Sequence, residues 1–162
     1  MHAIAAVQSE YSLWSRDVEA EVLPACRELG IGFVPYSPLG RGFLTGQLNS
    51  SAALAPDDYR HSLPRFQPPA MAANGHLVAE LQRLAAARGA TAAQLALAWL
   101  LAQGTDIVPI PGARSLAHLE ENVAAAQIKL SDTELAVIGA AIAPASVQGA
   151  RYPDVELAMV GL

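Results

Sequence analysis

The chain has 162 residues, with 12 glycines, 11 prolines and one cysteine. At roughly 100–200 residues per domain, that length reads as a single domain. Hydrophobic residues make up 52% and charged residues 15%, which excludes disorder over the whole chain. The lone Cys26 excludes a disulfide framework, and a net charge of -5 without a basic run argues against a nucleic-acid footprint.

No apolar stretch approaches the ~18 residues of a membrane span, and the N-terminus has no secretory pattern. A cytoplasmic setting is the expectation.

In chain order, Ile4–Val7 reads as a buried strand that ends in Gln8, Ser9 and Glu10. A helix follows, capped by Ser15 or Asp17 and running to about Leu29. Its apolar stripe is Val18, Val22, Leu23, Cys26 and Leu29, with Pro24 as a kink and Gly30 as the stop. Ile31–Val34 reads as a second buried strand. The stretch from Pro35 to Ala70 is rich in Pro, Gly, Ser and Asp, and such a segment is usually functional or disordered. Helices are expected over about Met71–Arg88 and from Thr91, as N-cap, to Gln103.

Ile107–Ile110 reads as a third strand, interrupted by Pro109, and Pro111 to Arg114 as a turn. Ser115 can cap a helix to about Ala126 that carries Leu116, Leu119 and Val123. Ser131-Asp132-Thr133-Glu134 is a capping box opening a last helix to about Ile142. This alternation predicts an α/β fold with parallel strands covered on both faces.

No standard catalytic set is visible. The four histidines, His2, His61, His76 and His118, show no metal-ligand spacing. Gly40-Arg41-Gly42-Phe43-Leu44-Thr45-Gly46 has one residue too many for a dinucleotide fingerprint. Polar residues do gather at three strand ends, where parallel α/β folds bind ligands. Gln8 suits a carboxamide, because an amide both donates and accepts. Tyr36 offers a ring for stacking. Gly112 to Arg114 lead into a helix N-terminus that favours phosphate, with Arg114 as a cation. Each residue also fits a plain structural role: Gln8 as a strand-end hydrogen bonder, Tyr36 and Gly112 as turn residues, Arg114, Glu121 and Asn122 as exposed polar surface. Trp14, Trp99 and Cys26 read as core. The residues alone give a parallel α/β domain with a possible phosphate site.

Three ordered motifs add a family resemblance. Val7-Gln8-Ser9-Glu10-Tyr11-Ser12-Leu13-Trp14-Ser15-Arg16 resembles the sixth-strand motif of the aldo-keto reductases. Gly32 to Gly46 resembles their seventh strand and loop. Ile110-Pro111-Gly112-Ala113-Arg114, with Leu119-Glu120-Glu121-Asn122, resembles their eighth-strand cofactor motif, and Gly149 to Pro153 also matches. The resemblance implies an NADP(H)-dependent carbonyl reductase built on a TIM (β/α)8 barrel. Residues 1–162 would be a partial domain: about three β/α units from its C-terminal part, incomplete alone.

By match, Gln8 would hold the nicotinamide carboxamide and Tyr36 would stack on the nicotinamide. Ser37, Leu39, Gly40 and Gly42 would line the pyrophosphate channel. Gly112, Ala113 and Arg114 would surround the 2′-phosphate and ribose. His118 stands where many relatives carry Arg or Gln near that phosphate, and Glu121 and Asn122 would meet the adenine. The family's catalytic Asp, Tyr, Lys and His belong to earlier strands, and Lys129, the single lysine, is no substitute. The resemblance therefore implies no catalytic residue here, and a small carbonyl substrate only in the complete enzyme. The alternative is a non-catalytic dinucleotide-binding or barrel-completing module. Open sheet edges and an uncovered apolar face, including Ile4, Val34 and Val108, imply self-association or pairing with a missing N-terminal half.

Overall fold

The computed structural model describes residues 2–48 and 50–160. At its centre, β1 (Ala6–Glu10) and β2 (Gly32–Tyr36) run parallel, in register from Ala6 opposite Gly32 to Glu10 opposite Tyr36. Both strands begin and end later than their apolar runs suggest. The reason is the pattern of burial. In β1, Ala6 and Gln8 are exposed while Val7 and Ser9 are half-buried; in β2, Phe33 and Pro35 are buried and Val34 and Tyr36 only half so. One face of the sheet is covered and the other open, so polar residues continue the strand on alternate positions. The expectation of cover on both faces fails for these residues.

The third segment lies beside β2 through Phe33, bridged in parallel to Ile107. Phe33 donates to the Asp106 carbonyl (2.8 Å), Val108 to Phe33 (2.9 Å) and Ile110 to Pro35 (3.1 Å). The next rung would need an N–H from Pro35, which has none. The interruption thus comes from Pro35 and not from Pro109. Residues 106, 108 and 110 face β2, so Pro109 turns its missing N–H toward the free edge, where a proline blunts further pairing.

Between β1 and β2, a 3-10 turn (Asp17–Glu19) precedes α1 (Val22–Glu28). Neither Ser15 nor Asp17 caps α1. Pro24 sits in its first turn, where its absent N–H has no helical partner, so no kink is needed. Leu23 and Cys26 are buried, whereas Val22 and Leu29 face solvent. The stretch after β2 is packed rather than loose. Short 3-10 turns (Ser51–Ala53, Tyr59–Ser62, Pro64–Phe66) anchor it through buried Leu54, Leu63 and Phe66.

The helical layer is α2 (Pro68–Ala86), α3 (Ala92–Leu101), α4 (Leu116–Ala124) and α5 (Asp132–Ala141), followed by one turn, α6 (Asp154–Leu157). Thr91 with Gln94, and Ser131 with Glu134, close capping boxes, and Ser115 caps α4. α3 is buried along nearly its whole length because α2 and α4 both pack on it. The core is aromatic on the covered side. Trp14 stacks on Phe43 at 4.8 Å and meets Phe66 edge-on, while Tyr11 sets its edge to Phe33 and Trp99. Trp14, Trp99 and Cys26 all belong to it, as the sequence suggests. The apolar residues of α4 do not: Leu116, Leu119 and Val123 are 70, 51 and 62% exposed. On the open side of the sheet, Ile4, Val108 and Ile110 are exposed as well.

Candidate functional site

Strand register places Gln8 and Tyr36 on the open face, two register positions apart at the C-terminal end of the sheet. Gln8 is therefore inside β1 rather than beyond its end, and its amide is exposed. The bond from Ile110 to Pro35 brings the turn from Pro111 to Arg114 alongside Tyr36 and Ser37.

The loop after β2 curls tightly. Ser37, Gly40, Arg41, Gly42 and Gly46 all have positive φ. Glycine is required at position 40 twice over: φ is +57°, and a Cβ would come within 2.6 Å of the Trp14 indole nitrogen. The N–H groups of Gly40 and Gly42 already bond the Ser37 and Leu39 carbonyls, at 2.9 and 3.0 Å. Those two N–H groups are therefore not free donors, and the space beside Gly40 is filled by Trp14. Leu39 packs half-buried against the core.

The turn is more open. Nothing lies within 4 Å of where a Gly112 Cβ would be, and Ala113 and Arg114 are exposed. Ser115 accepts the His118 N–H at 3.2 Å, leaving the His118 ring exposed on the first turn of α4. Asn122 Nδ2 donates to the Gly112 carbonyl (3.3 Å) and so ties α4 to the turn; Glu121 is half-buried beside it. Three predicted groups are thus brought to one end of the sheet: Gln8 with Tyr36, the Ser37–Gly42 loop, and the turn with the N-terminus of α4.

Behind them stands a buried polar cluster that the sequence did not reveal. Glu10, fully buried, accepts from both terminal nitrogens of Arg41 at 3.2 and 2.9 Å, and from Ser15 Oγ at 3.0 Å. Arg65 Nη1 donates to Ser15 Oγ at 2.7 Å. The Arg41 guanidinium lies 4.9 Å from the centre of the Tyr152 ring, and the Tyr152 and Tyr36 hydroxyls share a hydrogen bond of 2.9 Å. Burial, then the bond to Tyr36, pushes the Tyr152 phenol up to about 12. Burial and the Glu19 carboxylate push the Tyr11 phenol higher still. Arg60, on the other flank of the loop, donates to the Arg41 carbonyl and holds the Asp58 carboxyl down at about 2. One local signal bears on the cluster: Glu10 directly precedes Tyr11, Leu13 and Trp14, which are buried.

Lys129 stands apart from this end. It is exposed, and its carbonyl accepts from Arg88 near the turn between α2 and α3. Among the described residues, no three His, Cys, Asp or Glu side chains are grouped to hold a metal ion. No helix of the described residues is long and apolar enough to cross a membrane.

Parallel strands backed by helices, with polar groups collected at the strands' C-terminal ends, define an α/β ligand-binding architecture. The aldo/keto reductase family model matches residues 2–143, and the chain belongs to that family. It is 46% identical over 152 residues to a probable aldo-keto reductase 1 of Glycine max, a match covering 94% of this chain and 44% of that protein. The glycerol dehydrogenase of Gluconobacter oxydans superposes with a TM-score of 0.78 at 28% identity, over 88% of this chain and 44% of that one. An aldo-keto reductase from Klebsiella pneumoniae, solved in complex with NADPH, gives a TM-score of 0.61 at 30% identity, over 92% and 43%. The chain spans less than half the length of these relatives.

Proposed function

We propose that these residues form the cofactor-binding portion of an NADP(H)-dependent aldo-keto reductase: about three β/α units from the C-terminal part of a (β/α)8 barrel. The observation that carries the reading is the convergence of Gln8, Tyr36, the Ser37–Gly42 loop and the Gly112–Arg114 turn at one end of the sheet, in a chain whose Klebsiella pneumoniae neighbour was solved with NADPH. The residues fit a nicotinamide dinucleotide. The exposed Gln8 amide would meet the carboxamide and the Tyr36 ring the nicotinamide face. Ser37, Leu39, Gly40 and Gly42 would line the pyrophosphate channel. Gly112, Ala113, Arg114 and the N-terminus of α4, with His118, would receive the 2′-phosphate and ribose, and Glu121 and Asn122 the adenine.

When bound, NADPH would supply a hydride to the carbonyl carbon of an aldehyde or ketone. The chain's own residues would bind and orient the cofactor. A proton donor for the carbonyl oxygen is not among the groups gathered here. We therefore propose that the chain by itself binds NADP(H) but does not turn over a carbonyl substrate at a useful rate. The exposed side chains of Val108, Ile110 and Ile4 would pack against a further run of β/α units, which would also bring the proton donor.

Fluorescence titration of the chain with NADPH tests the reading. Saturable binding is expected, and Arg114→Ala should weaken NADPH more than NADH. A folded chain that does not bind NADPH refutes it, and equal losses for both cofactors refute the 2′-phosphate assignment.

A further inference from the structure

The segment after α5 returns to the strand ends by several anchors. Asn74, fully buried, exchanges two hydrogen bonds with the backbone of Gln148 at 2.8 and 2.9 Å. Gly149 adopts φ +87° and presses on the backbone of Arg65, whose Nε donates to its carbonyl at 3.2 Å. Arg151 is buried and reaches Asp17. Tyr152 is thereby delivered to the end of β2.

There it closes a ring of contacts. Glu10 holds Arg41, Arg41 lies against the Tyr152 ring, Tyr152 bonds Tyr36, and Tyr36 is paired in register with Glu10. A tyrosine on an open sheet face is fixed only at its Cα and can swing about χ1. A bond at the phenol tip fixes the far end too. It also occupies the Tyr36 hydroxyl, so that Tyr36 presents its face and not its oxygen.

We propose that Tyr152 is a positioning residue for the cofactor, holding the Tyr36 ring at the angle at which a nicotinamide stacks. This rests on the NADP(H) reading given above. It makes the C-terminal segment part of the binding machinery, because preorganising a stacking ring removes a cost that the ligand would otherwise bear.

The test compares two ligands in the 162-residue chain: NADPH, and 2′-phospho-ADP-ribose, which keeps every part but the nicotinamide. Tyr152→Phe retains the ring over Arg41 and removes only the hydroxyl. It should raise the Kd for NADPH about three- to ten-fold, the effect of losing one hydrogen bond, and leave 2′-phospho-ADP-ribose unchanged. Tyr36→Phe breaks the same bond from the other side and should give the same result, with the double variant no worse than either. Far-UV circular dichroism establishes that each variant is folded.

An unchanged NADPH Kd in both variants overturns the proposal, as does an equal loss for both ligands, which is what general loosening would give. Wild-type chain that binds NADPH no more tightly than 2′-phospho-ADP-ribose also overturns it, while the cofactor reading stands. Wild-type chain that binds neither refutes the cofactor reading, and the proposal with it.

Discussion

The Glu10–Arg41 pair is the most demanding electrostatic feature of the molecule, and Arg41→Met isolates it. Glu10 has no exposed side-chain surface and Arg41 only 6%. Two of the three hydrogen bonds that Glu10 accepts come from Arg41. Each bond to a charged group is worth about 1.5–3 kcal/mol. Breaking a buried pair from one side typically costs about 3–5 kcal/mol, because the remaining charge stays buried without its partner. Two such bonds sum to about 3–6 kcal/mol, which overlaps that range, so a loss of about 3–5 kcal/mol is expected in urea denaturation. Against a total of about 5–15 kcal/mol for a domain, that is a large fraction. Glu10→Gln combined with Arg41→Met removes both charges and should recover at least about 1.5 kcal/mol of the loss. If Arg41→Met costs less than about 1 kcal/mol, or the two changes add without coupling, Glu10 is not buried as described.

Gly40→Ala should destabilise by about 2 kcal/mol or more, since the new Cβ meets the Trp14 ring at a positive φ; Gly112→Ala, with open space around it, should stay within about 0.5 kcal/mol in the same urea assay, and equal effects would contradict both environments. Leu119→Glu on the exposed side of α4 should change stability by less than about 0.5 kcal/mol and shift size-exclusion elution toward smaller species; a large loss of stability at low concentration would mean that this side is packed. At high pH, a phenol whose folded pKa exceeds the unfolded value of about 10 binds more protons when folded, so stability should fall as pH rises from about 10 to 12, less steeply in Tyr152→Phe. At low pH the sign reverses: the Asp58 carboxyl, held at about 2 by Arg60, contributes stability that is lost as pH falls from about 4 to 2, and Asp58→Asn should flatten that limb of a thermal-melt series.

What was legible in the sequence is what short-range chemistry determines. The capping residues Thr91, Ser115 and Ser131 and the helix stops Gly30 and Gly89 act within a few residues, and the structure places each where the sequence does. Strand boundaries are not legible in an apolar run alone, because it marks only part of each strand. In β1 Val7 and Ser9 are the half-covered positions, Gln8 lies on the open face, and the strand ends at Glu10, which is buried by its pair with Arg41. Pro109 is the local signal for an interrupted third segment, whereas the missing donor is Pro35 on the neighbouring strand. The partners of the polar cluster were beyond reach for the same reason: 31 residues separate Glu10 from Arg41 and 116 separate Tyr36 from Tyr152. Nothing in the local pattern of either member names the other.

That division bears on what the buried cluster is for. A buried ion pair adds little net stability over a well-packed apolar pair, because desolvation offsets most of the attraction. Its specific contribution is geometric. Arg41 lies in the left-handed region at φ +54°, between Gly40 and Gly42, which also have positive φ. Two bonds to Glu10 and one from Arg60 to the Arg41 carbonyl select one path relative to the strand ends. Gln8, Gly112, Ala113, Arg114 and His118 are exposed, so the placement of the candidate site is set from behind. The apolar core, Trp14 against Gly40 above all, sets the depth of the loop. The charges set its orientation, and the Tyr36–Tyr152 bond carries that orientation to the open face of the sheet.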